Sequence, residues 1–182
     1  MANTPAALLN LSITGRDIIS SGLKAGVLPT SILQYLDLVN GVNDGQIDRL
    51  IYRQESGISA STATAYDLAG SLLDAEGNAI TFAEIALVYV YNRRSTALAY
   101  LNVRPATANG FGRLASSRGF WPADAAADAD QGSIVDPLGH LLLYSRAGVP
   151  VTAGTGDQLE VLTSGVTGST NAWDILILGR SS

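Results

Sequence analysis

The chain has 182 residues, 47% of them apolar and only 15% charged, and its 11 basic against 16 acidic residues give a net charge of −5. That length suffices for one compact domain burying roughly 70% of its unfolded surface. The basic residues, ten arginines and Lys24, form no cluster able to neutralise several phosphates, which speaks against a nucleic-acid partner. Without cysteine the chain has no disulfide, no thiolate metal site and no cysteine nucleophile.

The N-terminal MANTPAALLNLSITGRD lacks a basic leader and an apolar core long enough for a signal peptide, and no run reaches the ~18 apolar residues of a membrane span. The expectation is a protein made soluble in the cytoplasm, with no membrane partner. Residues 1–45 read as an N-terminal arm of short elements, because Gly15, Gly22 and Gly26 interrupt the apolar pattern and Pro29 stops any helix begun before it. Ser31 caps a short helix or begins a strand through ILQYLDLVNG, and periodicity does not choose between them. An arm that packs on a neighbouring subunit and an ordinary first strand both remain open.

From residue 46 to 182 the pattern is that of a β-sandwich domain. QIDRLIYRQ alternates Ile47, Arg49 and Ile51 with Asp48, Leu50 and Tyr52, a strand with both faces at least partly covered. SGISASTATAYDLAG follows as a second strand, and Asp74 with Gly77-Asn78 marks a turn between apolar runs. In ITFAEIALVYVYN the first part could form a helical turn, while LVYVYN is a strand whose expected neighbour is TALAYLNVR. Together these two should centre the core. The stretch from Ala106 to Ser133 reads as a surface excursion presenting Phe111, Phe120 and Trp121. Strands resume in SIVDP, GHLLLYSR and VPVTAG, and two apolar runs around SGVTGST predict a closing hairpin. About eight short strands with little helix predict an all-β fold, a jelly-roll-like β-sandwich.

Few constellations carry chemistry. The sole histidine, His140, stands at a turn-to-strand boundary, a structural place rather than a catalytic or multi-histidine metal one. Asp124, Asp128 and Asp130 are oxygen donors suited to a cation, yet no glutamate follows Gly132 at the spacing of a calcium loop. Glu55, Glu76, Glu84 and Glu160 are candidate acids for glycoside chemistry without an evident tryptophan-lined groove, and GVTGST lacks the lysine of a phosphate loop. No catalytic, cofactor or metal residues are therefore assigned, and the expectation is a non-enzyme. Glu84, alone among apolar residues, is expected on the polar side where its strand begins, or in an intersubunit pair with an arginine.

Several ordered blocks carry a resemblance: GQIDRLIYRQ, then DLAGSLLDAEGNAITFAEI, then LNVRPATANGF, VPVTAGTGDQLEVLTSG and WDILILG, together spanning residues 45–179. They resemble a family of small virion structural proteins of tailed bacteriophages, similar to head decoration, or cement, proteins. The pattern positions are Gly45, Gln46, Asp48, Asp67, Leu68, Gly70, Asp74, Gly77, Phe82, Ile85, Gly156, Asp157, Leu159 and Val161. The chain departs from the pattern at Val103-Arg104-Pro105, in place of a glycine-rich turn, and at Pro137-Leu138-Gly139, in place of P-G-G. The resemblance implies structural roles for these positions, a homotrimer, the major capsid protein as partner, and a place on the capsid surface after assembly in the host cytoplasm. A carbohydrate-binding module of a tail fibre is the other reading, motivated by Phe120-Trp121.

Overall fold

The computed structural model describes residues 7–21, 24–74, 77–113, 119–121, 132–164 and 170–181, and these form strands and turns without helix. The N-terminal segment folds as one long antiparallel hairpin, β1 (Ala7–Ser21) with β2 (Lys24–Asn40), in unbroken register from Ala7↔Leu38 to Ser21↔Lys24. This corrects the expectation of short elements: the strands run to 15 and 17 residues. Gly15 faces Thr30 and Pro29 faces Arg16 within the ladder, so residues that would break a helix are absorbed by a two-stranded ribbon with open edges. β2 then pairs in parallel with the short β3 (Gln46–Ile47) through Val39↔Gln46 and Asn40↔Ile47.

Eight further strands make two four-stranded antiparallel sheets. One has the order β11 (His140–Pro150), β8 (Glu84–Asn92), β13 (Thr170–Arg180), β4 (Arg49–Ser59). The other runs β10 (Ser133–Val135), β9 (Leu101–Pro105), β12 (Gln158–Thr163), β5 (Ala63–Asp67). Alternation in each strand sends Ile51, Val88, Val90, Trp173, Ile175 and Ile177 of the first sheet toward Tyr66, Leu101, Val103, Val135, Leu159 and Val161 of the second, in a single buried cluster. Each such side chain contributes about 1.5–3 kcal/mol on burial. Polar bonds tie the layers as well: Trp173 Nε1 donates to Tyr66 Oη at 3.0 Å, and Asn92 Nδ2 donates to the carbonyls of Ala99 and Val135.

The small hairpin β6 (Leu72–Leu73) with β7 (Ala79–Ile80) turns where Asp74 and Gly77-Asn78 predict it. The amide of Asn78 donates to Asp74 Oδ1 at 2.8 Å, and Gly77 takes the positive φ of 85° that glycine tolerates.

Two pairings and one strand boundary differ from those read from sequence. LVYVYN and LNVR are not neighbours, since β8 pairs with β11 and β13 while β9 lies in the opposite layer. The last two runs are not a hairpin, because β12 and β13 belong to different sheets. Both changes have one cause: each strand has an apolar inner face, and a connection long enough to cross the ~10 Å between layers lets consecutive strands cover each other face to face. Third, VPVTAG is no separate strand; Val149 and Pro150 continue β11 past an irregularity after Tyr144. FAEIA forms no helical turn either, as β8 starts at Glu84.

Candidate functional surface

The outer face of sheet β11-β8-β13-β4 is unusual in its composition. Register aligns three rows across it: His140, Tyr91, Asp174, Gln54; then Leu142, Tyr89, Leu176, Tyr52; then Tyr144, Leu87, Leu178, Leu50. Two of the rows consist of leucine and tyrosine alone. At one end the base of the N-terminal segment covers this surface, where Leu38 and Ile47 pack with Ala86, Leu87 and Leu178 into a second buried cluster, against which Tyr89 and Leu176 rest. The flanks stay open: Leu50 is 38% exposed, Tyr52 48%, Leu142 39% and Tyr144 39%. A sheet with one solvated face ordinarily shows polar residues there. Sequence alternation reads both faces of QIDRLIYRQ as at least partly covered, and on the outer one Leu50 and Tyr52 stay 38% and 48% exposed.

Members of the polar row contact one another and their neighbours. Tyr89 Oη and His140 Nδ1 are 2.6 Å apart, and Tyr91 stacks on the same imidazole with ring centroids 4.5 Å apart. Burial pushes the Tyr89 phenol up, and the Asp174 carboxylate adds to the effect. Asp174 itself pairs with Arg93 at 2.9 Å. Gln54 Nε2 donates to Tyr52 Oη at 2.8 Å.

The acids singled out from sequence are dispersed. Glu84 pairs with Arg180 of its own chain, whose Nε donates to Glu84 Oε2 at 2.9 Å, so the arginine partner expected for it lies within the chain. Glu160 receives Arg104 Nε at 2.8 Å, and Glu55 lies 3.5 Å from Tyr66 Oη on the inner side of its sheet. Glu76, Asp124, Asp128 and Asp130 lie outside the described residues. Among the described residues no three histidine or acidic side chains gather into a metal site.

The aromatics of the excursion correct the sequence reading. Phe111 and Trp121 are buried in the main cluster and Phe120 packs against it, with edge-on contacts at centroid distances of 6.2 Å to Phe111 and 5.8 Å to Trp121. A segment rich in small residues brings its few large ones inward, because the core gains more from them than the surface does. The glycan-binding reading thereby loses the exposed Phe120-Trp121 platform that motivated it.

The positions that carry the resemblance build the scaffold. Leu68, Phe82, Ile85, Leu159 and Val161 are core residues. Asp67 Oδ1 accepts from the Ala69 amide at 3.0 Å, Asp157 Oδ2 accepts from the Gly154 amide, and Gln46 Oε1 accepts from Asn43. Asp48 receives the Ser181 amide at 2.8 Å, which fixes the chain's last described residues beside its first long core strand. Gly45 and Gly77 both adopt positive φ. At Pro137-Leu138-Gly139, Leu138 sits at φ 57°, a left-handed conformation that suits glycine. Comparison with family models, curated proteins and solved structures returned no match for this chain.

Proposed function

We propose that this chain is a non-enzymatic structural protein of a tailed-phage virion, a head decoration or cement protein with a jelly-roll fold. It binds the major capsid protein lattice on the capsid surface, as a homotrimer. The observation that carries the reading is the bare leucine and tyrosine face on an all-β scaffold, a surface suited to association. The resemblance of the sequence blocks names the assembly in which such association takes place.

Strand order supports the jelly-roll part. With the strands of the two four-stranded sheets counted along the chain, first pairs with last, second with seventh, third with sixth, and fourth with fifth. Folding one long antiparallel ribbon over on itself gives this nesting, and eight strands in two Greek keys define a jelly roll. The non-enzymatic part draws on the commitment of candidate groups elsewhere: His140 to Tyr89 and Tyr91, Glu84 to Arg180, Glu160 to Arg104. Many modest contacts repeated over a lattice supply avidity without one tight interface.

The test mixes purified protein with capsids lacking it. Cosedimentation with the capsids and a gain in their thermal or osmotic resistance are expected; free protein in the supernatant and unchanged capsid resistance would sink the proposal.

A further inference from the structure

Two leucines with a left-handed backbone lie in neighbouring turns at one end of the sandwich. Four described residues other than glycine have positive φ; Ser61 and Asn109 are small and polar, while Leu98, at 69°, and Leu138, at 57°, are neither. Each leucine takes the third place of a four-residue turn. The Ala99 amide closes one turn onto the Thr96 carbonyl at 3.2 Å, and the Gly139 amide closes the other onto the Asp136 carbonyl at 2.8 Å. A positive φ at that place calls for glycine. Leucine there crowds its Cβ against the backbone and offers no polar atom for a local hydrogen bond in return.

The two side chains give their own fold little. Leu98 is 66% exposed and Leu138 53%, and with Ile134 at 55% they are the three most exposed large apolar side chains among the described residues. All three belong to this end. Asn92 Nδ2, where β8 finishes, donates to the carbonyl of Ala99, next to Leu98, and to that of Val135, next to Ile134. The Leu138 amide donates to the Arg94 carbonyl at 2.9 Å, which ties the second turn to the segment leading into the first. The same segments carry two charges, Arg94 and the exposed Asp136. Among the described residues neither side chain forms an ion pair, and Arg94 Nε is buried without a hydrogen-bond partner.

Backbone strain of this kind gathers where a molecule makes its contacts. For a single chain, glycine at either place keeps the bonds of the turn and removes the strain, so the leucine side chains act on something outside the chain. We propose that this end of the sandwich is the contact between copies of the chain, with Leu98, Ile134 and Leu138 at its centre and Arg94 of one copy paired with Asp136 of the next. The occupant is a second copy because the surface complements itself: an apolar centre with one unpaired charge of each sign meets its own likeness about a symmetry axis and leaves neither charge unmatched. Any other partner has to bring both opposite charges. The bare sheet face around Tyr52 stays free for the capsid. The inference rests on the homo-oligomer part of the proposed function and is tested first with no capsid present.

Light scattering on chromatographed full-length protein should give a multiple of the single-chain mass. Leu98→Gly with Leu138→Gly removes the apolar centre while relaxing both turns, so this variant should fall to the single-chain mass and keep a β circular dichroism spectrum. Urea unfolding at concentrations where the chain is single should find it no less stable, which separates lost association from lost folding. Arg94→Glu and Asp136→Arg should each weaken association at least tenfold, because each sets like charges together; combined, they reverse the pair and the mass should return. Should Arg94→Glu fail to fold, Asp136→Arg and the glycine pair still carry the test. Single-chain mass for the unmodified protein, an oligomer that survives the two glycines, or charge reversals without effect alone or without rescue together overturn the inference. A monomer that still cosediments with capsids defeats this inference alone, and an oligomer that does not bind them defeats the decoration reading alone.

Discussion

Arg180 is the most deeply buried charge among the described residues, and its surroundings explain why. Its guanidinium reaches Glu84 and the carbonyls of Asn43 and Ala147, so β8, β11, β13 and the segment before β3 meet on one side chain. Removing one partner of such a pair leaves the other charge and several carbonyls without donors. Arg180→Met should lower unfolding free energy by about 3 kcal/mol, toward the smaller end of the range for buried pairs because Glu84 keeps some solvent. Glu84→Gln retains an acceptor but leaves the buried Arg180 guanidinium without its counter-charge, and should cost about 2 kcal/mol. Urea titrations of both variants measure the difference, and equal midpoints for the two would contradict this account. Tyr66 adds a pH dependence. Burial pushes its phenol well above the ordinary value of 10.0, and the nearby Glu55 adds to the shift. The folded chain holds this proton after the unfolded chain has lost it. The contribution is therefore complete below pH 10 and is lost as the pH rises above it. Tyr66→Phe should cost about 1–3 kcal/mol at neutral pH, since Trp173 Nε1 loses its acceptor, and the gap to the unmodified protein should narrow in urea titrations above pH 10.

At the scale of elements, turns with their chemistry written locally were legible and pairings were not. Asp74 with Gly77-Asn78 specified a turn because the residues that make its bonds are neighbours in sequence. LVYVYN identified a central strand from composition alone. Its partners β11 and β13 were hidden, because pairing depends on what faces the strand across the core and β9, next in the chain, fills the other layer. The outer rows were hidden for a different reason: alternation gives Tyr52 a face at least partly covered, and only the assembled sheet shows how much of Tyr52 and Leu142 stays exposed. One turn carries its own test. Leu138 is 53% exposed at φ 57°, so its side chain contributes little packing while its backbone bears the left-handed cost of roughly 1–2 kcal/mol. The bonds of the turn, Leu138 amide to the Arg94 carbonyl and Gly139 amide to the Asp136 carbonyl, use main-chain atoms that glycine keeps. Leu138→Gly should therefore stabilise the protein by about 0.5–1 kcal/mol after the added freedom of the unfolded chain is subtracted. A lower thermal midpoint would show that the leucine side chain supports the fold in a way its exposure hides.

For the whole molecule, the nesting of strands governs how it can fold. The pair β4–β13 joins the first core strand to the last, and β5–β12 joins the second to the seventh, so the sheets cannot close until distant segments have met. β13 is also interior to its sheet, between β8 and β4, and supplies Trp173, Ile175 and Ile177 to the core. Loop-closure entropy must be overcome before these contacts reward it, which places all-β folds with non-local pairing in the millisecond-to-second range. Because residues of both layers share one buried cluster, neither sheet has a core of its own to stabilise it in isolation. Refolding from urea should therefore show a main phase of roughly milliseconds to seconds. With Trp121→Phe as background, Trp173 reports the meeting of the layers directly, since its indole bonds to Tyr66 across them. Far-ultraviolet dichroism and Trp173 fluorescence should recover with the same rate constant in stopped-flow traces. Sheet signal that returns in microseconds, well before the fluorescence, would mean that one layer forms alone and that the shared core does not couple them.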